Sequence, residues 1–304
     1  MMEPKDLPLP RRIGQFLMNF VLEGMLRLAL ALPYERRVPL AGWLVSRIVA
    51  PLAGWRRRIR TNLAHAWPDL PGDEVERLVR AVPDNAGRAL IEMYSGDDLK
   101  ARVRQVTPEG PGWAVVKEAH AEGRPIFFLS GHFGNYDAAR SLVAMEFGEI
   151  GALYRPLNNV YFNRHYVEAM TTVARPLFPR GRRGLAEMMK YVRKGRFVAI
   201  LNDQHFGHGA PLTFFGRTAY TALSIPEIAM KLDALIVPAY AIRQPDGLSF
   251  RVVFEEPIPH TSPEEVGQAL NDSLERRVRD NPGQWLWLHR RWKPGPAGPD
   301  ARTG

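Results

Sequence analysis

Short apolar runs that alternate with helix-like segments constrain the fold of this 304-residue chain more than any other feature. The runs typical of buried strands cover 125–129, 150–154, 197–201, 235–242 and 250–254. A strand of a parallel sheet is covered on both faces, so it is apolar along most of its length, and a helix usually connects it to the next strand. The sequence therefore predicts an α/β fold with a mostly parallel central sheet flanked by helices.

Helical segments are predicted from apolar periodicity and from end signals. They cover 73–93, 113–121, 138–147, 160–173, 185–193, 224–232 and 263–279. Asp73 followed by Glu76 resembles a capping box, and a Pro/Gly-rich break at 107–112 separates a helical part from the alternating part. These patterns predict an N-terminal helical segment (1–60), an α/β domain (61–294) and a flexible tail (295–304).

Positive charge is concentrated at the N-terminus. The chain has 41 Lys and Arg against 32 Asp and Glu, and its first 60 residues contain eleven basic and four acidic side chains. The same region contains two apolar segments, 13–32 and 38–53. Basic clusters beside apolar segments favour binding to an anionic membrane surface, and no recognised nucleic-acid motif is present. We therefore expect a membrane-associating segment and no nucleic-acid partner.

The first apolar segment has one narrow polar stripe. Gln15, Asn19, Glu23 and Arg27 recur every four residues, so they share one face of a helix. Twenty helical residues span about 30 Å, enough to cross a bilayer core, but four polar positions count against a single pass through lipid. The pattern favours an interfacial or partly inserted helix, and a spanning helix or an ordinary core helix remain alternatives.

Several kinds of site are excluded or disfavoured by composition. The chain has no Cys, which excludes disulfides, thiolate metal sites and a Cys nucleophile. It has no phosphate-binding or dinucleotide-binding glycine pattern and no nucleophile elbow. His205, His208 and Asp203 could contact a metal, but no fourth ligand is evident. We expect neither a metal nor a cofactor.

The most informative stretch follows the first predicted strand and reads Gly-His-Phe-Gly-Asn-Tyr-Asp at 131–137. Catalytic groups of open α/β sheets gather at the carboxyl ends of strands. If His132 lies in the turn and Asp137 in the first helical turn, the carboxylate can orient the imidazole as a general base. A structural histidine, with Asp137 capping the helix, is the alternative. Asp203, after the strand at 197–201, is a second carboxylate candidate.

The 131–137 stretch resembles the His-x4-Asp/Glu motif of glycerolipid acyltransferases. Its setting resembles the lipid A biosynthesis acyltransferase family and the related phosphatidylinositol mannoside acyltransferases. Further similar blocks occur in the same order: Asn62-Leu63, Tyr154-Arg155-Pro156, the block from Gly184 through Asp203-Gln204 to Phe214-Phe215-Gly216 and Thr221, and the tryptophan-rich 285–293. The resemblance covers nearly the whole chain, and the ordered set of motifs is more specific than any single one.

This resemblance implies transfer of a fatty acyl chain from a thioester to a lipid hydroxyl. The donor is expected to be acyl carrier protein, with acyl-coenzyme A left open, and the acceptor is expected to be like a lipid A precursor. His132 would act as the base, Asp137 or Asp203 would orient it, and Arg155 would face an oxyanion or a phosphate. The expected substrate-binding residues are Asn135, Tyr154, Arg180, Arg182, Arg183, Gln204, Phe214 and Phe215.

The sequence leaves alternatives to these roles open. Arg155 could form a salt bridge, Phe214 and Phe215 could be core residues, and the arginines near 180 could be a solvated loop. The acceptor could instead be a phosphatidylinositol mannoside or a lyso amino-acid-containing lipid, or water could replace it, as in a thioesterase. The expected location is the cytoplasmic face of the bacterial inner membrane.

Overall fold

The computed structural model describes residues 4–293, so the predicted flexible tail at 295–304 lies outside the described residues. The strands are β1 Ile126–Ser130, β2 Ile150–Tyr154, β3 Leu177–Pro179, β4 Phe197–Leu201, β5 Ala210–Phe214, β6 Arg217–Thr221, β7 Leu235–Arg243 and β8 Phe250–Phe254. The helices are α1 Leu9–Leu30, α2 Tyr34–Leu44, α3 Ala50–Leu52, α4 Trp55–Ala66, α5 Gly72–Tyr94, α6 Gly96–Val103, α7 Gly112–Ala121, α8 Tyr136–Phe147, α9 Phe162–Val173, α10 Arg182–Val192, α11 Ser224–Lys231 and α12 Pro263–Asp280. A π-helical turn at Val45–Val49 joins α2 to α3.

The central sheet has six strands in the order β3-β2-β4-β1-β7-β8. All neighbouring pairs are parallel except β7 and β8, which are antiparallel. This confirms the predicted mostly parallel α/β fold. Strand β3 and the separate hairpin β5–β6 were not predicted, because β3 has three residues and β5 is interrupted by Pro211.

The sheet is covered on both faces, as the apolar strands require. In β1, Phe128 packs in one hydrophobic cluster with α8 residues, whereas Phe127 and Leu129 pack in another with residues of α10 to α12. A third cluster, rich in aromatic side chains, joins α4 and α5 to the hairpin and to the C-terminal tryptophans. The three clusters hold the carboxyl ends of β1 and β4 at one edge of the sheet.

Helix α1 presents its apolar side outward, whereas Gln15, Asn19 and Glu23 of its polar stripe face the protein. Nine large apolar side chains of α1 are exposed, and Asn19 is its one buried residue. The core-helix alternative is therefore wrong. By length and composition α1 could cross a membrane, and the bent pair 34–52 and 55–66 passes the same test when taken together. The described chain thus has an N-terminal apolar helix that is unlike a helix of a soluble core.

The predicted start of helix α5 is wrong in detail, and the predicted domain boundary after residue 60 stays a prediction. Helix α5 begins at Gly72 after Pro71, and its cap makes no side-chain hydrogen bond, so the predicted capping box is absent. Glu76 instead accepts hydrogen bonds from Arg60 on α4, at 2.6 and 2.9 Å. The proposed boundary after residue 60 falls inside α4, and the division into 1–60 and 61–294 remains a prediction.

Candidate active site

His132 and Asp203 meet because two neighbouring strands end in register. Strands β1 and β4 are parallel neighbours, and Ser130 pairs with Leu201 at their carboxyl ends. His132 and Asp203 each follow two residues later, so both reach the same edge of the sheet. The His132 Nδ1 atom lies 2.7 Å from Asp203 Oδ1, and the His132 backbone N–H donates to Asp203 Oδ2 at 2.8 Å.

Asp203 is completely buried yet well supplied with hydrogen-bond donors. Besides the two groups of His132, Trp285 Nε1 donates to Asp203 Oδ2 at 2.9 Å. Burial alone raises the pKa of the Asp203 carboxyl, but the attraction of His132 and its hydrogen bonds outweigh burial and hold that pKa well below its usual range. The carboxylate is thus ionised at neutral pH. It can only accept, so in the neutral form of His132 the ring hydrogen lies on Nδ1, and the lone pair of Nε2 is free to accept a proton.

Asp137 does not fulfil the predicted contact with His132. Helix α8 begins at Tyr136 and is capped by Asn135, whose Oδ1 accepts from the Ala138 N–H at 3.1 Å. Asp137 therefore lies inside the first turn, where its carboxylate forms a buried ion pair with Arg140 at 3.0 Å. Within residues 4–293 no hydrogen bond joins Asp137 to His132. The carboxylate that orients the ring is Asp203, the second candidate from the sequence.

The turn that holds His132 requires glycine. Gly134 has φ +57°, and a Cβ atom there would lie 1.9 Å from the Ala241 carbonyl oxygen of β7. The turn is fixed by backbone hydrogen bonds: Gly134 N–H donates to Gln284 O at 2.9 Å, and Leu286 N–H donates to His132 O at 2.9 Å. The imidazole is consequently held against β4 while 20% of its side chain stays exposed.

The buried carboxylate of Glu92 is hydrogen-bonded to Asn135, at the end of this turn. Glu92 of α5 is fully buried and pairs with Arg243 through two hydrogen bonds of 2.6 Å. The same carboxylate accepts from Asn135 Nδ2 at 2.7 Å and from the Tyr34 hydroxyl at 3.2 Å. Asn135, expected to bind substrate, is therefore a buried link between the turn that holds His132 and the N-terminal helices.

An apolar cavity of about 530 Å³ opens beside His132. It runs over the carboxyl ends of β2, β4 and β1 and continues between the sheet and helices α8 and α9. Although β4 lies inside the sheet, Ala199 and Leu201 keep part of their surface accessible, which shows that the space beside them is hollow. Its apolar lining includes Phe128, Val143, Ile150, Ala152, Met170, Ala199 and Ala239.

The predicted substrate-binding residues divide into two groups. Tyr154, Arg155, Arg180 and Gln204 line the cavity together with His132 and Asp137. Arg155 is exposed and forms no ion pair within the described chain, so the salt-bridge alternative is wrong. The residues outside the cavity lining are Asn135, Arg182, Arg183, Phe214 and Phe215.

The residues outside the cavity have other contacts. Phe214 and Phe215 are buried in the aromatic cluster with Trp285 and Trp287, so they are core residues and not walls of a groove. Arg183 extends into solvent and pairs with Glu187 at 2.9 Å, and Arg182 is exposed at the start of α10. Asp203 is committed to His132 and Trp285, so it is not free to join His205 and His208 around a metal ion.

His289 was not predicted as a site residue, but its ring lies against that of His132. The ring centroids are 4.6 Å apart, and Gln204 Nε2 lies 3.4 Å from His289 Nε2. Burial lowers the pKa of His289 to about 4, so the ring is neutral at neutral pH. The tryptophan-rich block 285–293 is conspicuous in the sequence, but its return to the carboxyl end of β1 depends on long-range packing that spacing does not reveal.

The amino-acid sequence is similar to proteins of known activity along nearly its whole length. Residues 4–294 match the family model described as bacterial lipid A biosynthesis acyltransferase. The lipid A biosynthesis lauroyltransferase of Escherichia coli (strain K12) is 24% identical, over 92% of each chain. The lipid A biosynthesis palmitoleoyltransferase of the same strain is 25% identical over 90% of each chain, and a lipid A biosynthesis acyltransferase of Haemophilus influenzae is 21% identical over 84% of this chain and 81% of its own.

Proposed function

The chain belongs to the bacterial lipid A biosynthesis acyltransferase family and is an acyltransferase, and from this premise we propose that it transfers a fatty acyl chain from a thioester to a hydroxyl group of a lipid A precursor. The observation that carries the proposal is the His132–Asp203 pair beside an apolar cavity. The pair supplies a base for an alcohol, and the cavity supplies a place for a hydrocarbon chain.

The proposed reaction is direct transfer without an acyl-enzyme. His132 Nε2 takes the proton of the acceptor hydroxyl as its oxygen attacks the thioester carbonyl carbon. The tetrahedral intermediate then collapses, the C–S bond breaks, and the leaving thiolate receives the proton from the imidazolium. Asp203 fixes the tautomer and stabilises the imidazolium, and a general base of this kind contributes about 10²–10⁴ in rate.

Arg155 and Arg180 are the exposed arginines that line the cavity, whereas the third lining arginine, Arg140, is buried and paired with Asp137. Both are exposed and line the cavity, and neither forms an ion pair within residues 4–293. A guanidinium matches a phosphate or an oxyanion through paired hydrogen bonds. We assign Arg155 to the developing oxyanion or to an acceptor phosphate, and Arg180 to an acceptor phosphate.

The acyl chain is proposed to lie between the sheet and α8. Ala152 of β2 and Ala199 of β4 are paired neighbours, and their small side chains leave room that larger residues would fill. The cavity surface there is apolar, so burying the chain in it is favourable by about 25 cal/mol per Å² of apolar surface removed from water.

The donor is proposed to be acyl carrier protein, and the site of action the cytoplasmic face of the bacterial inner membrane. Exposed Arg182 and Arg183 directly follow the cavity residues Arg180 and Gly181, and their positive charge suits the surface of an acidic carrier protein. The outward apolar face of α1 suits insertion into the bilayer. Retention of the protein in the membrane fraction at high salt is expected, because salt screens charge but does not weaken apolar burial; complete release would contradict insertion.

The test combines lipid analysis with assays of purified protein. Deletion of the gene should remove one acyl chain from lipid A, and the wild-type protein, unlike His132→Ala, should restore it. With acyl carrier protein thioester and a lipid A precursor, the purified protein should form the acylated lipid, and acyl-coenzyme A tested in parallel identifies the donor. Free fatty acid formed at the same rate without acceptor would indicate a thioesterase. An unchanged lipid A with a chain missing from another lipid class would refute the proposed acceptor.

A further inference from the structure

One polar side chain of α1 binds the loop that follows the cavity arginine. Gln15 Oε1 accepts a hydrogen bond from the Val160 backbone N–H at 3.0 Å, and Gln15 Nε2 donates to the Asn158 backbone oxygen at 3.1 Å. The Asn159 side chain in turn donates to the Gln15 backbone oxygen at 2.9 Å. Three hydrogen bonds thus join one residue of the N-terminal helix to three consecutive residues of one loop.

This loop carries Arg155. It leaves β2 at Tyr154, passes Arg155 at the cavity and ends where α9 begins at Phe162. Glu23 of the same polar stripe faces this region too, because its carboxylate lies 3.4 Å from His165 of α9. Phe16, beside Gln15, contacts Tyr161 edge to face, with ring centroids 5.6 Å apart. The polar side of α1 therefore has the Arg155 loop and the start of α9 as its docking surface.

The hydrogen bonds of Gln15 replace partners that a loop backbone would otherwise take from water. Residues 155–161 contain no helix or strand, and the side chain of Asn163 supports their first part by accepting from the Leu157 N–H at 2.8 Å. Asn159 caps the next turn by accepting from the N–H groups of Tyr161 and Phe162. Gln15 binds between these two supports, at the centre of the loop.

We infer that Gln15 is a positioning residue for Arg155, so that α1 takes part in building the substrate site in addition to associating with the membrane. This inference rests on the proposed function for the role of Arg155. Gln15 does not reach the cavity lining, and its effect on the reaction passes through the loop. Its loss should therefore change the handling of the substrate group that Arg155 contacts, and it should leave membrane binding intact.

The informative substitution is Gln15→Leu, which removes two hydrogen bonds and makes α1 more apolar, so membrane attachment cannot weaken. Asn19→Leu is the matched control, since Asn19 is the next residue of the same stripe and its hydrogen bond goes to Glu23 and not to the loop. Asn159→Asp is a second test from the other side, because it keeps the capping oxygen and removes the donor to Gln15.

Two measurements on full-length protein in lipid vesicles test the inference. Amide hydrogen exchange of residues 155–162 should become faster in Gln15→Leu and Asn159→Asp and stay unchanged in Asn19→Leu. The kcat/KM of Gln15→Leu should fall about tenfold, the size expected for two hydrogen bonds. In protein that already contains Arg155→Ala, the added Gln15→Leu substitution should lower kcat/KM by less than about twofold, because the loop then has no Arg155 side chain to position.

Unchanged exchange in the loop overturns the inference whatever the activity, and so does an equal tenfold loss with and without Arg155. Wild-type kcat/KM in Gln15→Leu also overturns it. Failure of the proposed function gives a different result: wild-type protein would then not acylate a lipid A precursor, while the exchange measurement would still report whether Gln15 orders the loop.

Discussion

Asp203→Asn should nearly abolish activity by fixing His132 in the wrong tautomer. Oδ2 of Asp203 accepts from two N–H donors, His132 N at 2.8 Å and Trp285 Nε1 at 2.9 Å. In the variant the amide oxygen must stay at that position, because an NH₂ group there would face two other donors. The NH₂ group then faces His132 Nδ1, which is 2.7 Å from the carboxylate in the native protein. An NH₂ group only donates, so Nδ1 must accept, and the ring hydrogen moves to Nε2.

The expected loss is about 10⁴ in kcat, the size seen when the carboxylate of a hydrolase triad is replaced by its amide. It corresponds to about 5 kcal/mol of transition-state stabilisation, at 1.36 kcal/mol for each factor of ten. The side chain of Asp203 is fully buried, so no water can restore the lost acceptor. Because Asp203 does not line the cavity, the KM for each substrate should change little.

The assay is kcat at saturating donor and acceptor in mixed micelles, with circular dichroism to show that the variant is folded. Asp137→Asn is the comparison, since it breaks the ion pair with Arg140 and leaves the ring contact intact. Removing one partner of a buried pair costs about 3–5 kcal/mol, so this variant should lose thermal stability, and its folded fraction should keep at least about a tenth of wild-type kcat. The reasoning is refuted if Asp203→Asn retains more than a tenth of wild-type kcat, or if the folded Asp137→Asn protein loses as much as Asp203→Asn.

Three further predictions concern the cavity, the core and His289. Ala199→Leu should shift the products toward shorter acyl chains, measured by mass spectrometry with mixed donors; an unchanged chain distribution would mean that the acyl chain lies elsewhere. Phe214→Ala should lower the free energy of unfolding in urea by about 3–5 kcal/mol without altering the length of the transferred acyl chain. A variant with full stability and altered acyl-chain length would show that Phe214 contacts the acyl chain. Burial lowers the pKa of His289 to about 4, below the ordinary value of 6.5, so the unfolded chain takes up a proton in that interval and the folded chain does not. The contribution of neutral His289 to the free energy of unfolding is therefore complete above pH 6.5 and declines as the pH falls toward 4. In His289→Gln the free energy of unfolding, measured with urea at each pH, should change less between pH 6.5 and pH 4. An identical slope in the variant would contradict the lowered pKa of His289.

Strand positions could be predicted because a strand that is buried on both faces is apolar along most of its length. The predicted runs 150–154, 197–201 and 250–254 coincide with β2, β4 and β8. The order of the strands in the sheet cannot be predicted from these apolar runs, since it depends on how the crossover helices pack. The adjacency of β1 and β4, which decides the partner of His132, was therefore not predictable from the runs alone.

The error at Asp137 has the same origin. Asp137 is five residues from His132, whereas Asp203 is 71 residues away, and proximity along the chain favoured the nearer carboxylate. Asp137 lies in the first turn of α8, and Arg140, three residues later on the same face of the helix, forms an ion pair with it. Phe214 and Phe215 show the complementary difficulty, because an apolar pair fits a groove and a core equally well until its neighbours are known.

The hydrogen bond from Tyr34 to Glu92 has a practical consequence for shortened versions of the protein. Tyr34 belongs to the N-terminal region that would be removed to obtain a water-soluble fragment, and its hydroxyl helps to satisfy a carboxylate that also holds Asn135. A fragment beginning after residue 60 would therefore carry a damaged reaction centre even if it remained in solution. Crystallisation and inhibitor screening should accordingly retain the whole N-terminal region and supply detergent or lipid for its apolar surface.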